Sequence, residues 1–93
     1  MTAGQMENAP FEAKTIEQGL LDFLTEEIKT TVAPDHDLFA SGLVSSMFAM
    51  QLVVHLEEAY DIAIIGPELK LDNFRTVHAM TDLVLRLREQ DDD

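Results

Sequence analysis

Residues 38–61 read LFASGLVSSMFAMQLVVHLEEAYD, and the fold follows largely from how this stretch divides. From Ser46 to Tyr60 it contains neither glycine nor proline, while Gly42 and the serine pair Ser45 and Ser46 stand just before that run. A serine at a helix start accepts a hydrogen bond from an amide that has no carbonyl one turn below it. The pattern therefore predicts a helix over Ser46 to Tyr60. At about 100° per residue, Ala49, Leu52, Val53, Leu56 and Tyr60 fall on one side and make the expected core face. Met47, Gln51, Val54 and Glu58 line the opposite side, bordered by Phe48 and His55. A mixed apolar and acidic stripe beside a serine at a helix start suits a docking surface for another protein. The same spacing is met equally well by Met47 and Val54 packing beneath a loop, because apolar helical positions are usually core.

Upstream, Ile16, Leu20, Leu24 and Ile28, supported by Leu21 and Phe23, recur at the spacing of an amphipathic helix expected to finish near Thr31. Val32 to Val44 carries Pro34, Asp35, Asp37 and Gly42, which favour turns, so a long loop anchored by Leu38 and Phe39 is expected. Downstream, the apolar run Ile62 to Ile65 is stopped by Gly66 and Pro67, and a short helical turn is expected within Pro67 to Phe74. Thr76 can cap a last helix from Val77 to about Arg88, with Val77, Met80, Leu83, Val84 and Leu87 as its stripe. Arg86 and Arg88 suit the negative end of that helix dipole. Residues 1–14 read as a flexible N-terminal segment, 15–88 as the folded domain and 89–93 as an acidic tail. The fold class is all-α, a small bundle of three main helices plus one short helix.

The chain has 93 residues, 46% of them hydrophobic, which suffices for one modest core. Its 18 Asp and Glu against 6 Lys and Arg give a net charge of −12. Like-charge repulsion excludes nucleic acid and anionic membrane surfaces as partners, and basic proteins are attracted. The absence of cysteine excludes disulfides, thiolate metal sites and a cysteine nucleophile, so any thiol chemistry requires an imported thiol. No apolar run approaches a membrane span and the first residues lack a signal-peptide pattern, so a cytoplasmic monomer is expected.

A serine in the first turn of a helix also has a chemical reading. Free amides and the positive end of the helix dipole favour a phosphate attached or bound there, although most serines at helix starts are only caps. Residues 38–61 resemble the central region of acyl carrier proteins, in which Asp-Ser-Leu opens the second helix and an acidic pair and an aromatic residue close it. The likeness extends to stand-alone carriers with Gly-Leu-x-Asp-Ser-Met or Leu, such as D-alanyl carrier proteins. Counting back from Leu56-Glu57-Glu58-Ala59-Tyr60-Asp61 places the modified serine at Ser46, with Gly42 and Leu43 in register. The resemblance covers roughly residues 15–88. It departs where Ser45 stands in place of the usual Asp, which removes a charge beside the attachment point, and where Met47 replaces Leu.

The resemblance implies an acyl-carrier-like fold, no catalytic activity, and a covalent 4′-phosphopantetheine arm transferred from coenzyme A to Ser46 by a phosphopantetheinyl transferase. The arm supplies the thiol that the chain lacks, and an acyl or aminoacyl unit rides on it as a thioester. Met47, Phe48, Gln51, Val54, Glu57 and Glu58 are the residues implied to meet partner enzymes, which would include an acyl- or aminoacyl-loading enzyme and an acyltransferase or ketosynthase. Ile62, Ile64 and Leu71 are candidates to shelter the arm, although core packing explains the same residues. Ser46 to Val53 together with Leu71-Asp72-Asn73-Phe74-Arg75 is similar to discrete carriers of polyketide or mixed polyketide-peptide pathways, which deliver alkoxymalonyl or aminoacyl units.

Other chemistries fit less well. A calcium loop starting at Asp35 would need Gly at the place of Ala40 and Glu at that of Ser46. His55 and Glu58 lie three apart, but no second cluster completes a metal site, and a solvated helix face is the simpler expectation. A serine hydrolase is not indicated, because Ser45 and Ser46 lack the glycine that follows the nucleophile of such enzymes. The alternative from another class is an acidic helical adaptor without a prosthetic group.

Overall fold

A computed structural model describes residues 12–91. Three helices are formed, α1 (Ala13–Ile28), α2 (Ser46–Tyr60) and α3 (Val77–Asp91), with two short 3₁₀ turns, Gly66–Glu68 and Leu71–Phe74, between the last two. No strand occurs among the described residues, and none of their helices is long and apolar enough to cross a membrane. Of the segments expected to be mobile, 1–14 and 89–93, residues 1–11, 92 and 93 lie outside the described residues. At the margins, Ala13 and Lys14 already belong to α1, and α3 runs past Arg88 to Asp91.

The three stripes meet in one core. Ile16, Leu20 and Leu24 of α1, Leu52 and Leu56 of α2, and Val77, Met80, Leu83 and Val84 of α3 are fully buried, as is Leu38 of the long loop. Ala49, Val53, Tyr60 and Leu87 complete the faces read from the sequence. Thr76 caps α3, its Oγ1 accepting the N–H of Ala79 at 3.0 Å.

The first helix stops at Ile28, three residues before the expected Thr31. Lys29 adopts the left-handed conformation, φ 60° and ψ 34°, and its N–H closes the helix on the carbonyl of Thr25. Thr30, Thr31 and Val32 follow, and such β-branched side chains lose rotamer freedom in a helix, so continuation gains little. The long loop is held at its centre and tied to the start of α3. Val44 donates its N–H to the carbonyl of Leu38, Leu38 donates to that of Arg75, and His78 donates to that of Pro34. Gly42, at φ 82°, makes the turn that brings Val44 back beneath the loop, where Val44 is buried.

Candidate functional site

Ser46 is the first residue of α2 and is exposed. Ser45, with extended backbone at φ −90° and ψ 170°, accepts the N–H of Phe48 on its Oγ at 3.1 Å, and its carbonyl receives the N–H of Ala49. The capping role that an Asp would play is thus performed by a neutral hydroxyl. The amides of Ser46 and Met47 have no carbonyl one turn below them, so the positive helix end lies beside the Ser46 hydroxyl without an adjoining carboxylate. No acid occupies the first turn of α2.

An apolar groove of about 210 Å³ opens next to this serine, lined by Ser46, Ala49, Met50 and Val53 of α2 and by Leu69, Lys70, Leu71 and Phe74 of the 3₁₀ region. Leu71 lies in the place expected of a sheltering residue. Ile62 and Ile64 do not, because both are buried in the core and neither lines the groove. Met50 and Phe74 fall within the stretches that resemble discrete carriers, but neither they nor Leu69 and Lys70 are singled out by the sequence as groove residues, since the groove joins two segments some twenty positions apart.

The outer face of α2 is mixed. Met47 is 82% exposed and Val54 50%, so neither packs beneath a loop, and Gln51 and Glu58 are also exposed. Phe48 is half-buried, its ring stacked near Phe23 of α1 with centroids 6.2 Å apart. Glu57 is partly buried and faces inward, its Oε2 accepting the N–H of Ile64 at 2.8 Å, which holds the segment after α2 against that helix.

His55 does not lie on a solvated face. Its ring stacks on Phe23 with centroids 3.8 Å apart and planes within 9°. Burial between α1 and α2 pushes its pKa below the ordinary histidine value, against the opposing influence of Glu27 and Glu58. A lowered folded-state pKa means that the unfolded chain binds the proton more readily. The resulting stability is present above about pH 6.5 and is lost as the pH falls from there through the folded value. Thermal unfolding of wild type and His55→Phe at pH 7.5 and at acidic pH is expected to show a smaller loss, or a larger gain, on acidification in the variant. An equal response would contradict a buried neutral imidazole.

Asp37 caps the loop, its Oδ1 accepting the N–H groups of Phe39 and Ala40, while its Oδ2 lies 3.3 Å from Arg75. The Ala40 N–H and the Arg75 guanidinium hold its carboxyl below the usual carboxylate range. Pro34 and Asp35 form a turn in which His36 donates its N–H to the carbonyl of Ala33, and no group of three or more metal-ligating side chains occurs among the described residues.

An exposed serine at a helix start, beside an apolar groove, fits a phosphate-linked arm. Residues 15–84 match the family described as the phosphopantetheine attachment site. The chain belongs to this family. Among its relatives, the D-alanyl carrier protein of Lactobacillus delbrueckii subsp. bulgaricus is 26% identical over 78 residues, covering 82% of this chain and 98% of the relative. That of Streptococcus sanguinis is 35% identical over 54 residues, 58% of this chain and 68% of the relative. That of Lactococcus lactis subsp. cremoris is 34% identical over 59 residues, 63% and 71% respectively. The chain is thus an acyl carrier protein, non-catalytic, bearing covalent 4′-phosphopantetheine and working with a phosphopantetheinyl transferase and loading enzymes. Membership sets aside the adaptor without a prosthetic group.

Proposed function

We propose that Ser46 carries the arm and that this acyl carrier protein presents an acyl or aminoacyl unit on it as a discrete carrier in polyketide or mixed polyketide-peptide assembly. The observation that carries the reading is the placement of Ser46: exposed, first in α2, with Ser45 rather than Ser46 serving as the cap. The free Ser46 hydroxyl can receive the phosphoryl group while the helix start stays closed. The pathway rests on the likeness of Ser46 to Val53 and Leu71 to Arg75 to such carriers, and the D-alanyl carrier relatives support an aminoacyl cargo. An acyltransferase or ketosynthase in the cytoplasm would then receive the unit. The test is to offer the arm-bearing protein to amino-acid- and acyl-activating ligases and weigh it intact. A cargo mass removed by hydroxylamine, as a thioester requires, is expected from at least one activated unit. Arm-bearing protein that accepts none from either class contradicts the reading.

The exposed stripe of Met47, Gln51, Val54 and Glu58 supports this face as the one that meets partners, with Phe48 at its edge. Glu57 and Glu58 separate here. Glu58→Lys is expected to slow association with a loading enzyme and to leave stability within about 0.5 kcal/mol, as exposed substitutions do. Glu57→Ala removes a charged acceptor from a backbone amide and is expected to destabilise by about 1–2 kcal/mol. Stopped-flow association and denaturant unfolding of both variants check the assignment, which equal effects on stability would contradict.

A further inference from the structure

Lys70 is the charged residue among those that line the groove beside Ser46. The acids nearest to it in sequence are engaged elsewhere. Glu68, two residues before it, has its Oε1 3.0 Å from Arg86, and Asp72, two residues after it, receives both Nε and Nη2 of Arg75. None of the ion pairs among the described residues includes Lys70. Its backbone is also fixed. Its N–H donates to the carbonyl of Glu68 and its carbonyl receives the N–H of Asn73, each at 3.0 Å. Asn73 is buried and donates its Nδ2 to the carbonyl of Glu68 at 2.7 Å, locking the same turn. The turn therefore sets Lys70 at the rim of the apolar groove that also includes Ser46, with its exposed side chain in none of those ion pairs.

We propose that Lys70 is a positioning residue for the phosphodiester of the arm, pairing with its negative charge and laying the first part of the arm along the groove. This rests on Ser46 as the attachment point. A phosphodiester keeps its charge throughout the neutral range, and a lysine recognises it as a point charge. The free amides of Ser46 and Met47 at the start of α2 would favour the same negative charge. The ammonium is exposed, so the pairing biases the arm by up to about fivefold between docked and free positions, as surface ion pairs do, and weakens with salt. A partner enzyme that offers its own cation to the phosphodiester releases the arm for reaction.

The full chain, its Lys70→Met variant and its Lys70→Arg variant are each converted with coenzyme A and a phosphopantetheinyl transferase, and peptide mapping locates the arm. The ³¹P resonance of the phosphodiester is then followed from low to high salt, together with nuclear Overhauser contacts from the arm's methyl groups to Met50 and Leu71. The wild-type resonance is expected to move with salt towards that of Lys70→Met, whose own response is small. The Overhauser contacts should fall by up to about fivefold in Lys70→Met and persist in Lys70→Arg. A wild-type resonance and contacts that match those of Lys70→Met at every salt concentration overturn the role of Lys70. An arm mapped to another residue overturns the Ser46 reading, and the mapping alone tells the two failures apart.

Discussion

Leu52→Ala is expected to destabilise the fold by about 2–5 kcal/mol, the cost of deleting buried methyl groups and leaving a cavity. Leu52 is fully buried on the inner face of α2, among side chains of all three helices. A domain of this size is held by roughly 5–14 kcal/mol in all, so the loss consumes a large part of its stability. Its thermal midpoint should fall by about 10 °C or more. Val54, two positions on, provides the control on the same helix. It is 50% exposed, and Val54→Ala exchanges a β-branched residue for the best helix former, so its effect should stay within about 0.5 kcal/mol. Denaturant unfolding of the two variants reads the difference directly. Equal losses would contradict the division of α2 into a core face and an exposed face.

That division was legible because α2 obeys local rules throughout. Its first residue follows a capping serine, its interior lacks glycine and proline, and its apolar positions keep the helical period, so bounds and core face could be read from one segment. Thr76 and the α3 stripe were legible for the same reason. The end of α1 was less so: Leu24 and Ile28 carry the period to the end of α1, and the stop depends on Lys29 taking a left-handed conformation that no glycine announces.

The misreading of His55 has a different origin. Its angular position on α2 is at the edge of the exposed stripe, but its environment is made by Phe23, thirty-two positions earlier on another helix. Glu57 is likewise implied by the resemblance to meet partner enzymes, while the amide it accepts belongs to Ile64 beyond the left-handed turn at Asp61. The groove was the least legible feature. Ser46 and Leu71 were singled out separately, yet only the 3₁₀ turns locked by Asn73 bring Lys70 and Leu69 against Met50 and Val53. Periodicity reports what one element turns towards the core, and it is silent on which distant segments share a surface.

Ser46→Ala is expected to abolish attachment of the arm altogether, since on the proposed assignment it removes the hydroxyl that accepts the phosphoryl group. The fold should persist, because Ser46 is exposed and the helix start is closed by its neighbour. Ser45→Ala should behave in the opposite way. It removes the acceptor of the Phe48 N–H and costs about 1 kcal/mol of stability, yet leaves the attachment hydroxyl in place. On this proposal the two adjacent serines divide one helix start between the structural role of Ser45 and a chemical role for Ser46. The most direct test is intact mass after incubation of wild type, Ser45→Ala and Ser46→Ala with coenzyme A and a phosphopantetheinyl transferase. One arm gained by the wild type and by Ser45→Ala, and none by Ser46→Ala, is the predicted result; an arm on Ser46→Ala would contradict the assignment.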